Sequence, residues 1–142
     1  MLEQMNTRPI LASLRVLSFH GDNRAEADGA RWALELQQDI QMALAVPKVS
    51  GAGLQAAVKI ELIAQAKSEQ GNAEPASFKG LYEAKFNYMP EVTEATVAPL
   101  MEQESYQYML VAQAYPLAMT HFRRELQAMG FDARNLPLGL TM

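Results

Sequence analysis

The sequence predicts an α+β fold: a four-stranded antiparallel sheet, laid down as a meander, with a long, proline-interrupted C-terminal helix packed on one face. Three observations carry this prediction. Residues 32–46, 54–67 and 78–88 alternate apolar and polar side chains, the period of a half-buried strand, and an apolar run at 11–19 precedes them. Polar loops join these runs with no helical segment between, which favours antiparallel neighbours. After Leu100 the apolar spacing switches to three and four, the period of an amphipathic helix.

The clearest strand is Trp32 to Val46. Its even positions are apolar from Trp32 through Val46 except at Gln38, while Glu35, Gln37, Asp39 and Gln41 occupy the other phase. Its length exceeds the usual ~5–6 residues, so a bend or bulge is expected within it. Ahead of it, residues 1–9 read as a loose tail ending at Pro9. Leu11 to Phe19 forms a short first strand that is apolar on both phases, and Gly21 to Gly29 is a charged loop. Pro47 and the Ser50–Gly53 string SGAG make a turn before a third strand. There Leu54, Ala56, Val58, Ile60, Leu62 and Ala64 oppose Gln55, Lys59, Glu61, Gln65 and Lys67. A polar turn at 68–77 leads to a fourth strand, with Phe78, Gly80, Tyr82, Ala84, Phe86 and Tyr88 on one side and Lys79, Leu81, Glu83, Lys85 and Asn87 on the other. Met89 to Pro99 reads as an irregular crossing. In the helix that follows, Tyr115, Ala118, Met119, Phe122, Leu126 and Met129 form the apolar stripe. Pro116 predicts a kink or second start, and Gly130 with Phe131 predicts the C-terminal cap.

Composition narrows the function classes. A chain of 142 residues, 49% hydrophobic and 20% charged, predicts one globular domain over residues 1–142. A net charge of -4 argues against a nucleic-acid partner. There are no cysteines, which excludes disulfides and thiolate chemistry and fits a cytoplasmic location. The N-terminus lacks the basic-then-apolar form of a secretion signal, and no apolar run reaches the ~20 residues of a membrane span, so no membrane insertion is expected. The nine methionines suit an adaptable apolar surface.

No constellation for catalysis emerges, and an enzyme is not expected. His20 and His121 stand far apart with no carboxylate at metal-ligand spacing, so no metal or cofactor is predicted. The SGAG turn lacks the Gly-Lys-Ser/Thr of a phosphate loop, and no serine sits in a Gly-x-Ser-x-Gly context. The carboxylates fall on wet strand faces and in loops, and Arg123 and Arg124 face solvent by phase. The apolar excess is more informative. Four strands bury one face, yet one long helix is available to cover it, and Tyr106 to Val111 is apolar on more than one side. That excess predicts a homo-oligomer, with Tyr115, Met119, Phe122 and Leu126 at the subunit interface, and is compatible with a groove for extended apolar segments.

The order of elements, and above all Ala114 to Leu140 (AYPLAMTHFRRELQAMGFDARNLPLGL), resembles the SecB family of bacterial export chaperones. The aromatic-proline step Tyr115-Pro116 opens the family's long helix, Gly130-Phe131 matches its end, and Asn135-Leu136-Pro137 the stretch beyond. The resemblance spans roughly residues 10–140, by pattern more than by identity in the strands. It implies a tetramer built as a dimer of dimers and ATP-independent holding of unfolded client polypeptides, either secretory precursors or the antitoxin of a toxin-antitoxin-chaperone system. It also implies docking to the SecA motor through Leu81 and Glu83. Where the family carries acidic residues on its first strand this sequence has Arg15 and His20, and the family's C-terminal helix and acidic tail have no counterpart before Met142. The expected client-binding residues are Met89, Val92, Val97 and Met101 of the crossing and Leu136, Leu138 and Leu140 beyond the helix. The competing reading is an oligomeric scaffold or assembly module with no free groove.

Overall fold

The computed structural model describes residues 8–24, 32–46, 53–68, 76–134 and 136–137. The strands are β1 (Ile10–Asn23), β2 (Trp32–Ala45), β3 (Gln55–Ser68) and β4 (Ala76–Asn87), followed by the helices α1 (Glu94–Met101) and α2 (Glu104–Ala128). They form one antiparallel sheet of four strands with two helices, the α+β architecture that the alternation implies.

The strand order corrects the expected meander. β2, β3 and β4 follow one another as neighbours, but β1 lies beside β4, so the order is β1-β4-β3-β2. The chain thus passes from one edge of the sheet to the other between Asn23 and Trp32. Alternation tells each strand which face to bury and not which strand to pair with, so both orders satisfy the same pattern. Covering is what separates centre from edge. Ala56, Val58, Ile60, Leu62, Ala64 and Ala66 of β3 are wholly buried, as are Tyr82, Ala84 and Phe86 of β4, whereas the apolar residues of β1 and β2 are only partly so.

A second correction concerns irregularity. The pairing of β2 with β3 runs unbroken from Trp32↔Ser68 to Ala45↔Gln55, without the expected bulge. The register shifts lie instead in β1, between Leu11 and Ser13 and between Val16 and Ser18. Each extra residue flips the alternation, which is why β1 reads as apolar on both phases. Leu11, Leu14 and Phe19 pack against the core, while Val16 and Leu17 remain exposed.

The crossing is not wholly irregular, because α1 occupies Glu94–Met101 with Thr93 extended at its N-cap. Helical structure breaks at Glu102 and Gln103 and then runs as one span through Pro116. Tyr106, Leu110, Val111, Ala114, Tyr115, Ala118, Met119, Phe122 and Leu126 are the buried residues of α2, and they repeat at three and four. Both halves of α2 therefore press the same stripe toward the sheet, which holds the helix together across the proline. The ring of Phe122 meets that of Phe19 edge-on at 6.0 Å, and Phe131 meets Phe78 at 5.4 Å. At the end of α2, Gly130 has φ +92, its N–H donates to the Gln127 carbonyl and that of Phe131 to the Leu126 carbonyl. These two bonds form the glycine cap that Gly130-Phe131 predicts.

Candidate binding face

The inner face of β2 is the part of the sheet that the helices leave open. In register, Leu34, Leu36, Gln38, Ile40, Met42 and Leu44 stand opposite Ala66, Ala64, Leu62, Ile60, Val58 and Ala56 of β3. The β3 partners are fully buried because α2 packs over β1, β3 and β4. The β2 row projects past that cover, and its five apolar members are only partly buried. Leu100, Met101 and Met109 on the helices have the same half-covered standing at the rim of the core. β2 is also an edge strand, so among the described residues its outer edge pairs with no other strand. Half-covered alternating side chains beside unpaired main-chain groups are the two requirements for taking up an extended peptide as an added strand.

One polar bridge crosses this face. The buried Tyr115 hydroxyl on α2 donates to Oε1 of Gln38 at 2.7 Å. Burial pushes the Tyr115 phenol up, which keeps its proton in place for this bond. At the Ala45 end of the strand lies a depression of about 430 Å³ lined by Ala45, Val46, Gly53, Leu54, Gln55, Asn87, Tyr88 and Pro90. Nε2 of Gln55 donates to Oδ1 of Asn87 there at 2.8 Å, and the Tyr88 and Tyr106 hydroxyls meet at 2.7 Å behind it.

The residues singled out in the sequence fall in three places. Met89 is exposed and Met101 half-buried, but Val92 and Val97 lie in the protomer core at 4% and 0% exposure, as does Leu136. Leu138 and Leu140 lie outside the described residues, as do residues 1–7 of the expected tail and Asn135. Tyr115, Met119, Phe122 and Leu126 share one helix face as their spacing demands, but that face packs on the chain's own sheet. This corrects their assignment to a subunit interface, since a second copy cannot touch side chains that the protomer already encloses.

On the outer face of the sheet Leu81 is half-buried, and Glu83, only 8% exposed, accepts from Nε and Nη2 of Arg15 at 3.0 and 2.7 Å. Arg15 stands directly opposite Glu83 in the β1–β4 register. The sequence carried no sign of this pairing, because it depends on β1 lying beside β4. Gln38 was visible as the one polar residue on the apolar phase of its strand, though its partner was not.

The remaining polar constellation does not amount to a catalytic site. Nδ1 of His121 lies 2.9 Å from the Tyr82 hydroxyl and Nε2 lies 3.4 Å from Glu125. Burial, reinforced by the Glu125 charge, pushes the Tyr82 phenol far up, the opposite of what an activated nucleophile needs. Among the described residues no group of three or more His, Asp or Glu side chains is arranged to hold a metal ion. No helix of the described residues is long and apolar enough to cross a membrane.

No protein-family model matches the sequence, and no curated protein matches it. Among solved structures, the chain is similar to a SecB-like chaperone of Mycobacterium tuberculosis solved in complex with a ChAD peptide from the HigA1 antitoxin. The TM-score is 0.58 at 16% sequence identity, over 95% of this chain and 90% of that one. The likeness is one of fold, and it agrees with the resemblance carried by residues 114–140. The chain has the fold of a SecB-like chaperone.

Proposed function

We propose that this chain is an ATP-independent holdase that binds extended segments of non-native or disordered polypeptides along β2 and keeps them from aggregating. The observation that carries the reading is the half-covered apolar row of β2 at an unpaired sheet edge. A client strand laid along that edge satisfies main-chain groups of any sequence, while its alternate side chains meet Leu34, Leu36, Ile40, Met42 and Leu44. Main-chain pairing gives breadth, and the adaptable methionines Met42, Met101 and Met109 tolerate varied side chains. Met89 and Met101 border the site in this reading, with Val92 and Val97 supporting it from the core. Neither nucleotide nor cofactor enters the cycle, and the protein works in the cytoplasm.

The similar mycobacterial structure holds an antitoxin peptide, which favours a dedicated antitoxin over secretory precursors as the client. The Arg15–Glu83 ion pair favours it too. Docking of SecA through Leu81 and Glu83 would first have to separate a charge-assisted pair at 2.7 Å. Assembly as a tetramer, a dimer of dimers, uses other surfaces than β2: the β1 edge with Ile10, 70% exposed, Val16 and Leu17, and the outer side of α2 with Tyr108 and Leu117. The test replaces Leu36, Ile40 and Met42 with serine and follows aggregation of an unfolded client. Loss of suppression by a variant that keeps its fold and mass is the expected result. Undiminished suppression overturns the β2 site, and a native protein that protects no client, an antitoxin included, favours the scaffold reading instead.

A further inference from the structure

We infer that Gln38 selects among clients, favouring segments that place a carboxamide or carboxylate side chain opposite it; this rests on the reading of β2 as the client edge. Five of the six inner positions from Leu34 to Leu44 are apolar, and Gln38 is the one that is not. It points to the helix side, since it stands opposite buried Leu62 and bonds to Tyr115. The Tyr115 phenol is buried and needs an acceptor for its proton, so the amide oxygen of Gln38 is turned toward α2. The opposite orientation of the amide would leave that proton unpaired. Nε2 is therefore the end presented outward, and among the described residues it donates to no protein group.

In the free protein Gln38 is exposed and water meets its amide. A client strand along β2 removes that water. If the client residue opposite Gln38 is apolar, a donor is buried without an acceptor, at a cost of roughly 1–3 kcal/mol. If that residue carries an amide or carboxylate oxygen, the donor is satisfied. Directly opposed side chains on antiparallel strands lie about 4.5–5.5 Å apart at Cβ, within reach of such a bond. The client residues two positions to either side then oppose Leu36 and Ile40 and are best apolar. The preferred pattern is apolar, any residue, acceptor, any residue, apolar, and it also fixes the register of a client on an otherwise permissive edge.

The test uses two labelled peptides, one alternating leucine and threonine and one in which the central leucine is replaced by asparagine. Their affinities for the full chain are compared with those for a Gln38→Leu/Tyr115→Phe variant, which removes the polar pair without orphaning the phenol. The expected result is a preference for the asparagine peptide, relative to the leucine peptide, about tenfold greater in the native protein than in the variant. An equal ratio in the two proteins overturns the role of Gln38. If both peptides still lose binding to the Leu36, Ile40 and Met42 serine variant, the β2 site survives that failure. If neither peptide binds the native protein, or the serine variant binds both undiminished, the β2 reading falls and this inference with it.

Discussion

Phe122→Ala distinguishes a helix that builds its own protomer from one that joins two. Phe122 is fully buried, and its ring meets that of Phe19 edge-on between α2 and β1. Removing a buried phenyl group costs about 3–5 kcal/mol, transfer and residual cavity together. Neighbours from both layers, the sheet and α2, are held in place by the backbone ladder and the helix, so collapse around the hole is limited and the upper half of that range is expected. A chain of 142 residues unfolds with an entropy of about 0.3 kcal/mol/K, so the loss corresponds to about 13–17 °C in Tm. Thermal melts followed by circular dichroism should give that drop, nearly equal at low and high protein concentration, with the variant's assembled mass retained where it is folded. An interface role would give a folded, dissociated variant whose loss of stability varies with protein concentration. That outcome would refute the placement of Phe122 in the core.

Three further perturbations follow from local geometry. A Cβ on Gly80 would meet the ring of Tyr82 at 2.7 Å, so Gly80→Ala should destabilise by about 1–3 kcal/mol in denaturant titration. A Gly80→Ala/Tyr82→Leu double variant should show a smaller added loss from the alanine than the single one does. Breaking the part-buried Arg15–Glu83 pair with Arg15→Ala should cost about 1–2 kcal/mol at neutral pH, and a double-mutant cycle with Glu83→Gln should return a favourable coupling. The Arg15→Ala variant is also the one in which any SecA binding should increase. Hydrogen bonds from Arg134 hold the Asp132 carboxyl down at about 2 from its usual 3.8. Its folded-state value is lowered, so the turn at 131–134 gains order above about pH 4 and loses it as pH falls through about 2. Side-chain NMR of Arg134 should show the bonded Nε–H disappear over that window and be missing throughout in Asp132→Asn.

Each element's face was legible in the sequence because burial and side-chain period are local properties. The even phase of residues 32–46, the inner residues of β3 and β4, the stripe of α2 and the cap at Gly130 follow from periods of two and 3.6 and from a glycine's freedom at positive φ. Gln38 stood out on its strand for the same reason. Partnership, by contrast, was decided only in three dimensions. That β1 pairs with β4 depends on how strands distant in sequence share a single cover, and with it came the Arg15–Glu83 pair and the edge position of β2. Whether an apolar residue faces its own core or an outside chain is likewise not a local property. Val92, Val97, Met119 and Phe122 are enclosed because α1, α2 and the sheet meet over them, whereas Leu36, Ile40 and Met42, no more apolar by sequence, are left half-covered because α2 packs mainly over β1, β3 and β4 and reaches β2 through the Tyr115–Gln38 bond.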